Sequence, residues 1–182
     1  MGARIPPALV AAAVLSVVAF GAVAQEKDET AKGIDAYREA LKDGNPAELF
    51  EMAGEELWKK PAGPKNASLE KCDLGLGAGK VDGAFAHLPR YFKDTDRVQD
   101  LESRLLTCMS TLQGIDTKDY VEARFGTPKK NDLVALTAYI SGASKGQKVK
   151  VSTAHPKEKQ MYELGKRMFF FQAGPHDFSC AT

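Results

Sequence analysis

The sequence predicts an all-α architecture with long loops, on three observations. Apolar residues recur at three- and four-residue steps in several segments, helix-start and helix-stop signals bracket those segments, and no segment alternates convincingly with period two. Loops of such length in a small helical domain commonly wrap something, or did so in an ancestor.

Residues 1–24 have the layout of a secretory signal. Arg4 and the terminal amine make a short positive start, Ala8 to Val23 is uncharged and mostly apolar, and Ala22-Val23-Ala24 offers small residues for cleavage before Gln25. The run is shorter than the roughly 20 residues of a spanning helix, so an uncleaved anchor is the second reading. The expectation is an exported protein with no membrane span in its mature form.

Residues 25–144 form the expected first domain. Ile34, Tyr37 and Leu41 mark a short amphipathic helix that stops at Asp43-Gly44. Asn45-Pro46-Ala47-Glu48 then starts another, with Asn45 as N-cap, Pro46 at the first helical position and Glu48 placed for a capping box. That helix carries Leu49, Phe50, Ala53, Leu57 and Trp58 on a helical period and ends before Pro61. A glycine-rich loop spans Leu74 to Gly83. Val98, Leu101, Leu105, Cys108, Met109 and Leu112 define a third helix, and a fourth begins at Asn131, turns Leu133, Leu136, Tyr139 and Ile140 inward and ends at Ser141-Gly142. Residues 145–160 read as a polar linker, and residues 161–182 as the start of a second domain.

With Arg4 set aside, 24 basic residues face 24 acidic ones, which gives no general affinity for nucleic acid or anionic membranes. Lys145 to Phe170 holds seven basic residues against two acids, a solvated segment first and a weak anion-attracting field second. His87, His155 and His176 share no short ligand spacing and read as solvated or locally hydrogen-bonded, so no metal site is expected. Trp58 and Phe169 to Phe171 read as core. Asn66-Ala67-Ser68 matches a glycosylation acceptor that a bacterial origin would leave unused. Three cysteines, Cys72, Cys108 and Cys180, allow one disulfide and leave one thiol over.

An internal repeat gives the third thiol a meaning. Gly54-Glu55-Glu56-Leu57-Trp58 followed by Ala62-Gly63-Pro64 recurs as Gly165-Lys166-Arg167-Met168-Phe169 followed by Ala173-Gly174-Pro175, at a gapless offset of 111 residues. The same offset sets Ser68 on Ser179 and Leu69 on Cys180, and sets Cys72 and Asp73 on the two positions after Thr182. If the second copy carries haem c, those two residues are Cys and His, completing Cys-x-x-Cys-His, and Cys180 is the first thioether attachment. The first copy then lacks one thioether cysteine at Leu69 and the axial histidine at Asp73, and is expected to hold no haem.

Tyr162 to Thr182 closely resembles the segment leading into the haem motif of the SoxA family, the larger subunit of the SoxAX cytochromes of bacterial sulfur oxidation. The likeness extends to Ser68-Leu69-Glu70-Lys71-Cys72-Asp73, Leu88-Pro89-Arg90-Tyr91-Phe92 and Leu105-Leu106-Thr107-Cys108-Met109. The resemblance implies two cytochrome c-like domains, the first having lost its haem and the second only begun here. It implies an L-cysteine S-thiosulfotransferase subunit in the periplasm that pairs with the SoxX cytochrome. That complex joins thiosulfate to a cysteine of the SoxYZ carrier and passes electrons through haem c. It further implies a Cys72–Cys108 disulfide, since the matching positions face the iron in two-haem members; two separate buried thiols are the other possibility. The catalytic cysteine would lie beyond Thr182, so no catalytic residue falls within this chain. Two other readings stand beside this one: a periplasmic c-type electron carrier, and a haem-free binding module if the chain truly ends at Thr182.

Overall fold

The computed structural model of the chain describes residues 29–41 and 45–182. The secretory signal of residues 1–24 and the helix stop at Asp43-Gly44 lie outside the described residues. Contacts divide the chain into two units at Asn45 and Pro46. In the first, residues 29–41 form helix α1, exposed along its length.

The second unit is built on two helices, α2 (Pro46–Lys59) and α5 (Pro128–Gly142), which share the most extensive contact in the unit. Each opens on a proline, where the missing N–H would have had no partner in any case. The inward stripe of α2 is narrower than the hydrophobic period predicts. Gly54 and Trp58 are buried and Leu57 is half-buried, while Leu49, Phe50 and Ala53 are exposed. Gly54 explains why. A Cβ there would lie 2.0 Å from the carbonyl oxygen of Ala135 and 2.6 Å from its carbon, so only glycine lets the two backbones approach so closely. From α5, Leu133, Ala135, Leu136 and Ile140 are buried, and Tyr139 meets Trp58 with ring centroids 6.4 Å apart.

Between these helices run a 3-10 turn (Phe85–His87), helix α3 (Leu101–Cys108) continuing into a single π turn (Met109–Gln113), and the short α4 (Lys118–Glu122). Asp100 caps α3 by accepting the Ser103 amide at 2.8 Å, and Gly114 ends the π turn with φ 72°. Leu101, Leu105, Cys108 and Met109 point into the core, as their spacing predicts.

One element corrects the all-α expectation. Arg90–Phe92 (β1) and Arg97–Gln99 (β2) pair as an antiparallel hairpin with Tyr91 opposite Val98. Val98, expected on α3, sits in β2. Strands of three residues are too short to display a period of two, so this pairing left no pattern to read. A second correction concerns the linker: α6 (Pro156–Phe170) already begins inside the segment 145–160 and packs on both strands.

Candidate functional site

Cys72 and Cys108 are joined by a disulfide across 36 residues of chain, with Cα atoms 5.6 Å apart. The bond runs from the loop after α2 to the last residue of α3 and is closed off from solvent, with Cys72 1% and Cys108 3% exposed. Leu69, Leu74, Leu105 and Met109 are buried in the same cluster. Leu69, which stands where a haem motif has its first thioether cysteine, is 1% exposed and part of this packing.

Asp73 stands where the axial histidine would be. Its Oδ1 accepts the amides of Gly75 at 2.7 Å and Gly77 at 3.0 Å, folding the glycine-rich loop over itself. Gly75 and Gly77 have φ of 101° and 107°, values that side-chain-bearing residues rarely adopt. The Asp73 carbonyl oxygen accepts from Nε of Arg104 at 2.7 Å. Arg104 is buried, lies 4.0 Å over the Phe92 ring and donates to both oxygens of Asp94. The groups that would hold haem here are thus otherwise engaged: one sulfur is in a disulfide, and the Asp73 side chain is holding two amides. These residues do not fit a haem c site.

Cys180 is a free, exposed thiol. The turn that carries it is closed by Ser179 and Thr182: the Ser179 amide donates to Thr182 Oγ1 at 2.9 Å, and the Ala181 amide donates to Ser179 Oγ at 3.1 Å. Haem c attachment uses two thiols and an axial ligand, of which this segment presents one thiol, Cys180.

The two copies of the sequence repeat share a backbone. In the first, Ala62 pairs with Ala67, Gly63 has φ 70° and Asn66 has φ 45°. In the second, Ala173 pairs with Phe178, Gly174 has φ 83° and Asp177 has φ 49°. The helices before them, α2 and α6, end on residues in the same register, Lys59 and Phe170. What differs is the surroundings. Around Gly54 a Cβ meets backbone at 2.0 Å, and around Gly165 nothing lies within 4 Å. Trp58 is buried, whereas its counterpart Phe169 and the neighbouring Met168, Phe170 and Phe171 are exposed rather than core.

The histidines are engaged locally where the structure defines them. His155 Nδ1 accepts the Lys157 amide and caps α6, and His176 tilts against Phe178 at 5.7 Å. Among the described residues no group of three His, Cys, Asp or Glu could hold a metal ion, and no helix is long and apolar enough to cross a membrane. Sequence reasoning missed Arg104, which reads as an ordinary helix-surface charge, and Glu158, which is buried despite a polar neighbourhood in sequence.

Residues 53–149 match the model of the family described as SoxA/TsdA, cytochrome c domain. A relative from Hydrogenophilus thermoluteolus, named L-cysteine S-thiosulfotransferase subunit SoxA, is 55% identical over 161 residues, covering 87% of this chain and 59% of that protein. A protein of the same name from Hydrogenobacter thermophilus is 34% identical over 138 residues, covering 75% of this chain and 50% of its own length. The crystal structure of SoxXA from P. pantotrophus superposes with a TM-score of 0.63 at 22% identity, over 81% of this chain and 52% of that one, a likeness of fold. The chain spans only about half to three fifths of the length of these relatives.

Proposed function

The chain belongs to the SoxA/TsdA cytochrome c family, and from that premise we propose that it acts as the SoxA subunit of a periplasmic SoxAX cytochrome. Its first cytochrome c-like domain, residues 46–144, works without haem, closed by the Cys72–Cys108 disulfide. Its second cytochrome c-like domain starts with α6, and Cys180 is the first attachment point for haem c.

The observation that carries the reading is the backbone repeat. The turn at 62–67 recurs at 173–178 after helices that end in the same register, and the second copy delivers an exposed thiol where the first has buried Leu69. Gly165 supports it further. A glycine inside a helix costs about 1 kcal/mol relative to alanine, and at Gly54 that cost is offset by close packing of α5, which Gly165 lacks here. The greater length of the relatives leaves room for the elements that would cover Gly165.

The reaction assigned to the complex joins thiosulfate to the thiol of the SoxYZ carrier cysteine. One S–S bond forms, the thiol proton leaves to water and two electrons are released. Haem c, when bound in the second domain, supplies the outlet for those electrons, and SoxX is the partner that receives them. The part that this chain's own residues play is to hold the first domain shut and to present the Cys180 segment.

Peptide mapping of the native protein from its source, under non-reducing conditions, tests the reading. The expected result is one haem per chain, carried on the peptide that contains Cys180, with Cys72 and Cys108 in one disulfide-linked pair. Haem on the Cys72 peptide, or a Cys180 peptide free of haem, overturns it.

A further inference from the structure

We infer that Glu158 is a positioning residue, the joint that fixes α6 to the β1–β2 hairpin and so sets the direction in which the Cys180 segment leaves the first domain. Its carboxylate ties three segments together. Oε1 accepts the Tyr91 amide from β1 at 2.8 Å, and Oε2 accepts the Ser152 hydroxyl at 2.8 Å and the His155 amide at 3.1 Å. Tyr91 pairs with Val98 but sends its N–H outward, to Glu158. The Glu158 side chain is satisfied on all its contacts and the residue is 7% exposed. A buried carboxylate with three donors is costly to free, because each bond to a charged acceptor is stronger than a neutral one.

A second attachment lies at the hairpin tip. Lys157 Nζ reaches the Asp96 carboxylate and the Asp96 carbonyl oxygen, each at 2.7 Å, while the Tyr91 hydroxyl donates to Asp96 Oδ1 at 2.8 Å. His155 stacks on the Tyr91 ring, with centroids 3.6 Å apart and planes 7° from parallel. Both attachments come from the first turn of α6, from the adjacent residues Lys157 and Glu158, so together they anchor the start of the helix on the hairpin. The lever is long: α6 has 15 residues, about 22 Å at the α-helical rise, so a pivot of about 20° would displace its far end by about 8 Å.

Glu158 stands at the third position of α6, as Glu48 does in α2, and its bond to the His155 amide closes a capping box. Its bonds to the Tyr91 amide and the Ser152 hydroxyl go beyond that helix-start role and make the joint. That α6 positions a haem-bearing segment rests on the proposed function; that Glu158 fixes α6 does not.

Lys166, exposed towards the far end of α6, supplies a labelling position that leaves Cys180 untouched. Nitroxides on an introduced Lys166→Cys and an introduced Glu122→Cys report the distance distribution between α4 and the far end of α6 by pulsed electron resonance. The expected result is one narrow distribution for the otherwise unaltered chain, and a broader, shifted one for Glu158→Ala, with the unfolding midpoint seen by Trp58 fluorescence unchanged. Glu158→Gln, which keeps the size and one acceptor oxygen, should fall between the two, and serves if Glu158→Ala fails to fold. An already broad distribution in the unaltered chain, or a narrow one retained in both variants, overturns the inference. The measurement needs no haem, so its failure is separate from any failure of the haem assignment.

Discussion

Gly54→Ala adds one methyl group at the crossing of α2 and α5, and the structure fixes what that methyl meets. Its Cβ would lie 2.0 Å from the Ala135 oxygen, 2.6 Å from the Ala135 carbon and 2.8 Å from Tyr139 Cβ, where ordinary contact begins at 3.4 Å. Two of the three atoms are backbone of a helix and cannot swing aside. The helices must separate by about 1.4 Å at this point, which loosens the packing of Trp58 on Tyr139 and of Leu136 beneath them. Overpacking of this kind costs about 1–3 kcal/mol, and an immovable backbone puts it near the upper end. Alanine's better helix propensity returns about 1 kcal/mol. The net expectation is a loss of about 2 kcal/mol, or a fall of about 1 M in the urea midpoint for a slope near 2 kcal/mol per M. Trp58, the protein's one tryptophan, sits beside the crossing and reports the transition by fluorescence. Gly33→Ala, on the exposed helix α1, is the matched control, because nothing lies within 4 Å of its Cβ. It should leave the Trp58 midpoint in place and slow amide exchange along α1. An unchanged or raised midpoint for Gly54→Ala would refute the close-crossing argument.

Three further outcomes are expected. Replacing Cys72 and Cys108 together by Ala should lower stability by roughly 3–4 kcal/mol in the chain-entropy account of a 36-residue loop; a loss below about 1 kcal/mol in urea unfolding would show that the bond constrains little. Arg104→Lys should cost about 1–3 kcal/mol, because an ammonium cannot at once hold the Asp73 carbonyl, the Asp94 carboxylate and the Phe92 face; equal midpoints for Arg104→Lys and the parent chain would count against it. Acid should release α6 before the core. Burial alone would raise the Glu158 carboxyl, but the Tyr91 and His155 amides, the Ser152 hydroxyl and the Arg90 charge outweigh it and hold it below its ordinary 4.5. The folded joint therefore binds protons less readily than the unfolded chain. Its contribution is complete above pH 4.5 and is lost as pH falls below that value through the lowered folded one. Amide exchange at Tyr91 should accelerate in that window while exchange at Leu105 stays slow; the two rising together would contradict a separate joint.

How much of this was legible depends on how local each signal is. Helix starts announced themselves at Pro46 and, within a few residues, near Asn131, because proline and polar caps act on their own turn. The inward residues of α3 and α5 followed from their spacing. Leu49 and Phe50 were misread because an apolar residue on a helical period signals burial only if something packs on that face, and α5 crosses lower, at Gly54. The hairpin was unreadable for a related reason: Tyr91 is held in place by Glu158, 67 residues away in sequence, and not by any pattern in its own three-residue strand. At the candidate site, the repeat brought Leu69, Asp73 and Cys180 together in the sequence, and the resemblance paired Cys72 with Cys108. Neither could disclose that Asp73 holds the glycine-rich loop, since the amides it accepts belong to glycines whose conformations only the fold reveals.

The engagement of Asp73 bears on whether this loop could take up haem. A histidine at position 73 would have placed an imidazole where the loop now needs a short acceptor, because Asp73 Oδ1 reaches two amides within four residues of itself. Leu69 fills core where a haem c motif has a thiol, and Cys72 is bonded to Cys108 on α3. All three residues are engaged in the packed loop, so altering one leaves the other two in place. Asp73→His alone would release the loop without supplying two free thiols, and Leu69→Cys alone would open the core beside an intact disulfide. In the second copy of the turn Cys180 stands at the Leu69 position and is exposed, nothing lies within 4 Å of a Cβ at Gly165, and Phe169 is exposed. The two turns thus share one local conformation, and Leu69 and Cys180 differ in what packs on them.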